Sequence, residues 1–222
     1  MKKEDLSMNI KKISVLVLTS VILFGAAGFK SAPVQAAEKN AWAKEYVKVL
    51  KKLDKKDKKD KNITYDLIYV DGDKTPELVI SRFGYWVSLY TIYNGKAVAV
   101  MDQAVYGAMG NTGYDYIKKK NVIHNSNADF AGAEYYNFYG KISKGKLVDR
   151  NKEELCIKHY VDKNKNGMPD QNEYTDKSLY YYGKKQVSKA TYEKYTVKGK
   201  LEMIMGKISY SKMLKKLNKA AK

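Results

Sequence analysis

Twelve consecutive residues, Asp162-Lys163-Asn164-Lys165-Asn166-Gly167-Met168-Pro169-Asp170-Gln171-Asn172-Glu173, set oxygen-bearing groups at alternate positions. A hard cation such as calcium takes about seven oxygens, and a twelve-residue loop supplies them from positions 1, 3, 5, 7, 9 and 12. Here those positions are Asp162, Asn164, Asn166, the Met168 carbonyl, Asp170 and Glu173. Gly167 falls at position 6, where the chain must turn sharply. Lys163 and Lys165 occupy outward-facing positions, so their charge does not forbid a site. The pattern predicts one bound calcium ion. With only Asp162, Asp170 and Glu173 negative, the affinity expected is that of weak extracellular sites. The competing reading is a polar hairpin turn that holds no metal.

Two features set this loop apart from a helix-flanked one. Position 8 is Pro169 rather than an aliphatic residue, and Leu155, Ile157, His159 and Val161 alternate ahead of the loop as a strand does. The D-x-[DN]-x-[DN]-G-x-P-D run from Asp162 to Asp170 resembles the EF-hand-like calcium loops of thrombospondin type 3 repeats and related bacterial extracellular modules. The resemblance covers twelve residues and implies calcium as the cofactor. Such modules occur in tandem, whereas this chain carries one copy. A second segment, Tyr69-Val70-Asp71-Gly72-Asp73-Lys74-Thr75-Pro76-Glu77-Leu78, resembles the D-x-D-G-D-G-x-P-E-L turns of secreted bacterial proteins and integrin-type calcium blades. Tyr69 replaces the first Asp, Lys74 replaces the glycine and Ile80 stands at position 12. It reads as a tight strand-to-strand turn, in which Asp71, Asp73 and Glu77 would serve a weak ion.

Motifs of catalysis are missing from the sequence. It contains no G-x-S-x-G elbow, no H-E-x-x-H and no phosphate-cradling G-x-x-x-x-G-K. Cys156 and His159 lie three apart on a predicted strand, so they point to opposite faces and cannot pair as nucleophile and base. Cys156 reads as a small buried hydrophobe. A two-carboxylate hydrolase stays open as the alternative, because such pairs converge only in the fold.

Charge and targeting narrow the class. Lys2, Lys3, Lys11 and Lys12 precede an apolar run over 13–29, and Val34-Gln35-Ala36-Ala37 offers small residues for cleavage after Ala36. Residues 1–36 therefore read as a signal peptide, with Met8 as a second candidate start. The protein is expected to be secreted, extracellular or cell-wall associated, with no stable membrane span after processing. Export, a single cysteine and abundant Lys, Asn and Tyr resemble exoproteins of Gram-positive bacteria. Five lysines and two acids lie in the first 36 residues, so +15 of the net +18 remains beyond them. Such charge favours an anionic cell-envelope polymer or glycan as partner. Nucleic acid is not expected, since no nucleic-acid module is present.

The elements that must position these residues are mainly strands. Residues 37–61 read as an N-terminal helix, with Trp42, Tyr46, Val49, Leu50 and Leu53 on one face, followed by a charged connector over 54–61. Residues 62–222 read as a strand-rich domain. Strands are predicted over 63–70, 78–80, 86–92, 97–101, 114–119, 121–124, 134–142, 146–148, 154–161 and 178–182. Asn94-Gly95 between apolar runs marks a hairpin. Ser188 is a candidate N-cap of a short late helix, and a C-terminal helix from about 211 shows a stripe of Tyr210, Leu214, Leu217 and Ala221. The predicted fold is α+β, a mainly antiparallel sheet or open barrel with those three helices.

Overall fold

The computed structural model describes residues 40–108 and 110–222. The predicted signal peptide lies outside the described residues.

Strands dominate because β-branched and aromatic residues recur at period two between turn residues. The first four strands, β1 (Ile63–Ile68), β2 (Glu77–Arg82), β3 (Trp86–Tyr93) and β4 (Lys96–Val105), form an antiparallel meander in that order. At the predicted Asn-Gly turn, Asn94 (φ 50°) and Gly95 (φ 72°) both adopt the left-handed conformation of a tight hairpin. A second sheet holds β5 (Tyr114–Ile117), β6 (Val122–Asp129), β7 (Glu134–Ser143), β8 (Lys146–Asp149), β9 (Leu155–Tyr160), β10 (Tyr174–Tyr182), β11 (Lys185–Val187) and β12 (Glu202–Met203). Its order is β11-β10-β9-β7-β6-β5-β12, with β8 paired to β7, and every pairing is antiparallel. The fold is therefore α+β as predicted, built as two open sheets without a closed barrel.

Helices cover one face of the small sheet. These are α1 (Ala41–Lys52) and α4 (Tyr210–Ala220), with the short α2 (Lys55–Lys59) and α3 (Lys189–Glu193) elsewhere along the chain. The strand β2 is buried on both faces, with the apolar run Leu78-Val79-Ile80 between buried Glu77 and Ser81. Leu78 and Ile80 face the helices with Tyr46, Leu50, Met213 and Leu217. Val79 faces the large sheet, in a second core with Leu89, Ile123 and Ile204.

Three details differ from the sequence reading. The buried stripe of α4 is Met213 and Leu217, while Tyr210, Leu214 and Ala221 are half-buried. On α1 the buried residues are Ala43, Tyr46, Val47 and Leu50, so the inward face is turned from the Trp42–Val49 side toward Val47. Part of the charged connector folds into α2, which buries no residue. Ser188 caps α3 as predicted, accepting from Thr191 N at 3.2 Å.

Candidate functional sites

The loop over 162–173 joins β9 to β10. Its odd-numbered positions coil by side-chain turns: Asp162 Oδ1 and Asn164 Oδ1 each accept from Asn166 N at 3.0 Å, and Asn166 Oδ1 accepts from Met168 N at 2.8 Å. Asp162 Oδ2 accepts from Gly167 N at 3.0 Å, and Gly167 takes φ 81°, the conformation that favours glycine. Asp170 Oδ2 accepts from Asn164 Nδ2 at 2.5 Å and from Asn166 Nδ2 at 3.4 Å. Glu173 is buried, with Oε1 accepting from Lys163 N at 2.7 Å and Oε2 from Asp170 N at 3.1 Å. Hydrogen bonds from the Asp170 amide, then those of Lys163 and Asn164, outweigh burial and hold this carboxyl below its ordinary range.

The six predicted ligands are thus gathered in one turn, and their chemistry, three carboxylates and three carbonyl oxygens, suits a hard cation. Among the described residues no three His, Cys, Asp or Glu side chains converge on a single point. The carboxylates of Asp162, Asp170 and Glu173 are distributed along the loop, where each satisfies backbone or side-chain amides.

The second motif occupies the β1–β2 connection. Asp71 Oδ1 accepts from Asp73 N at 3.0 Å, and Asp73 Oδ1 from Thr75 N at 2.6 Å, repeating the coil of the first loop. Glu77 is 0% exposed, between the two sheets. It accepts from Val70 N at 2.8 Å and Thr91 Oγ1 at 3.2 Å, and it has no cationic partner among the described residues. Burial, with the Asp71 and Asp73 carboxylates, pushes its carboxyl up to about 8.

Two further polar clusters escaped the sequence reading. Glu134, 3% exposed on β7, receives Lys158 Nζ at 2.7 Å, Tyr160 OH at 3.0 Å and the Cys156 thiol at 3.3 Å. Burial works against its charge, but Lys158, Tyr136, Cys156 and Tyr160 together hold Glu134 below the usual carboxylate range. Cys156 is buried as predicted, yet beside this carboxylate rather than in apolar surroundings; burial, then Glu134, pushes its thiol up. His124 is also buried, with Nε2 3.2 Å from Asn137 Oδ1. His159 lies against the Tyr135 ring, away from Cys156.

Charge is the remaining candidate. Residues 40–61 contain nine lysines and four acids, and residues 210–222 contain five lysines and no acid. Remote in sequence, these segments meet where α1 and α4 share one core. The α1 segment over 40–53 (+3) and the α4 segment over 210–222 (+5) thus gather +8 of the +15 beyond residue 36 in a single helical layer, although the sequence presents lysines along its whole length. Most of these lysines are exposed. Among the described residues no helix is long and apolar enough to cross a membrane. No known protein family, curated protein or solved structure matches this chain.

Proposed function

We propose that the protein is a secreted, surface-associated binding protein without catalytic activity. Its helical layer holds it to an anionic cell-envelope polymer, and calcium in the 162–173 loop braces the β9–β10 hairpin. The observation that carries this reading is the gathering of +8 on α1, α4 and their flanks. A concentrated positive face attracts a polyanion far better than the same charge dispersed. In the loop, Asp162, Asn164, Asn166, the Met168 carbonyl, Asp170 and Glu173 would hold the ion, and the ion would supply charge that the three carboxylates lack.

A glycerol-phosphate polymer is the direct probe. The triple substitution Lys212→Gln/Lys215→Gln/Lys219→Gln should weaken binding strongly, while Lys163→Gln/Lys165→Gln/Lys177→Gln should not. Binding should also fade from 0.1 M to 1 M salt, as the screening length drops from about 10 Å to about 3 Å. Equal loss in both triples, or no binding at low salt, would leave the charge as a solubility device.

A secreted hydrolase is the second reading. It is favoured by opposed carboxyl environments: Glu134 is held low, while burial and then the Glu134 charge push Glu154 up. Against it stands the engagement of Glu134 by three donors, Lys158, Tyr160 and Cys156. Release of reducing ends from a glycan, abolished by Glu154→Gln, would establish hydrolysis.

A further inference from the structure

The flank of β7 changes partner along its length. Residues Glu134 to Asn137 pair with β9, Gly140 to Ser143 pair with β8, and Phe138 and Tyr139 between them have neither strand. The link over 150–154 bows away at this gap, tied by Arg150 N donating to Tyr139 O at 2.8 Å. The space left is a pocket of about 190 Å³. A neighbouring hollow of about 340 Å³ shares Tyr136 and Glu154 with it and extends along the same strands. Combined, they fall within the range of small-molecule sites, about 300–1,000 Å³.

The floor is set by register. Asn127 pairs with Tyr136, Tyr136 with Cys156, and Cys156 with Tyr181. Cross-strand partners share a face, so Asn127, Tyr136, Cys156 and Tyr181 form one row across four strands, with Phe138 in the adjacent row. Aromatic rings and carboxamides are thus presented together, the lining that accepts a flat, hydroxyl-rich molecule. The buried Asn127 Oδ1 has no hydrogen-bond partner.

Electrostatics decides the charge of the occupant. Asp149, Glu153 and Glu154 line the pocket beside Lys152, and the neighbouring hollow adds Lys184 and the Glu134–Lys158 ion pair, whose Nζ stands 5.7 Å from the centre of the Tyr181 ring. None of the Asp149, Glu153 and Glu154 carboxylates makes a hydrogen bond or ion pair with a described residue. An unpaired acidic rim on a chain of net charge +18 repels an anion and attracts a cation. Burial raises Glu154 above its ordinary value, the neighbouring Glu134 carboxylate adds to this, and the Lys158 charge works against it.

We infer that this groove between β7 and the 150–154 link binds an oligosaccharide of free-amine hexosamines, with the rings of Tyr136, Phe138 and Tyr181 against sugar faces and Asp149, Glu153 and Glu154 receiving the ammonium groups. The site lies on elements separate from the helical layer and stands without the polyanion reading. Titration calorimetry at pH 6 with a β-1,4-linked glucosamine tetramer tests it, alongside the fully N-acetylated tetramer and spermine. The glucosamine tetramer should bind at submillimolar concentration, at least tenfold tighter than either comparator. Asp149→Asn/Glu153→Gln/Glu154→Gln changes only rim groups without partners and should keep the wild-type melting temperature while losing at least tenfold in affinity. Chemical-shift changes should centre on Tyr136, Phe138 and Tyr181. Absence of binding, undiminished binding by the triple variant, or spermine binding as tightly as the tetramer would overturn the assignment.

Discussion

Burying Glu77 without a counter-ion makes stability fall as pH rises through neutrality. Its carboxyl is 0% exposed and accepts two hydrogen bonds, and Asp71 and Asp73 add negative charge nearby. Its titration moves from an ordinary 4.5 to about 8. Between those values the folded chain keeps a proton that the unfolded chain releases. This contribution is complete below 4.5 and lost as pH climbs to 8, with a limiting slope of about 1.4 kcal/mol per pH unit. Across the full window the loss is on the order of 5 kcal/mol. Glu77→Gln can still accept from Val70 N and donate to the Thr91 hydroxyl oxygen, so its stability should lack this slope. Urea midpoints measured from pH 5 to 8 in a chelator, at constant m, report the difference. Subtracting the variant removes the contribution of the two histidines. Parallel curves for wild type and Glu77→Gln would refute the reasoning. If millimolar calcium flattens the wild-type slope, the Asp71, Asp73 and Glu77 turn takes a cation.

Calcium should raise the melting temperature of wild type but not of Asp162→Ala or Glu173→Ala. With a dissociation constant on the order of 10⁻⁴ to 10⁻³ M, a tenfold excess adds roughly 1.4 kcal/mol; equal responses in all three proteins would reduce the loop to a polar turn. A Cβ on Gly206 would stand 2.1 Å from the Thr64 carbonyl carbon, so Gly206→Ala should cost about 3 kcal/mol or more by urea denaturation. Leu217→Ala, in the fully buried helix–sheet core, should cost about 2–5 kcal/mol by the same assay. Cys156 should resist a thiol reagent at pH 8 until the protein unfolds, since the thiolate is the reactive form and this thiol is buried beside Glu134; rapid native labelling would contradict that placement.

What the sequence disclosed was local. Strand-forming residues between turn signals located ten of the strands, and Asn94-Gly95 specified its turn because both positions need positive φ. The equivalent turn at Lys144-Gly145 (φ 51° and 73°) carries no such signature, because lysine there adopts a conformation it rarely favours. β11 and β12 are three and two residues long, too short for periodicity to register. Met213 escaped the helix stripe because its partners on β1 and α1 come from the other end of the chain. The same holds for the sites. The ligand set of the 162–173 loop is contiguous and could be read directly, whereas Glu134 with Lys158, the pocket beside Phe138 and the basic layer arise from strand register and from the meeting of distant segments.

The segment over 202–210 reaches both sheets in turn. Met203 pairs with Asp115 on the large sheet, and three residues later Gly206 N donates to Ser81 Oγ at 2.8 Å on the small one. Ile208 then bridges Tyr65 on β1, and α4 lies beside α1. The join between the sheets and the cover over the first helix are therefore supplied by residues made after the other strands of both sheets. A growing chain lacks Ile204, Met213 and Leu217, each fully buried in the finished cores, until all the strands of both sheets have been made. Cooperative closure waits for these residues, and a chain that lacks them remains open enough to be threaded, bound or degraded.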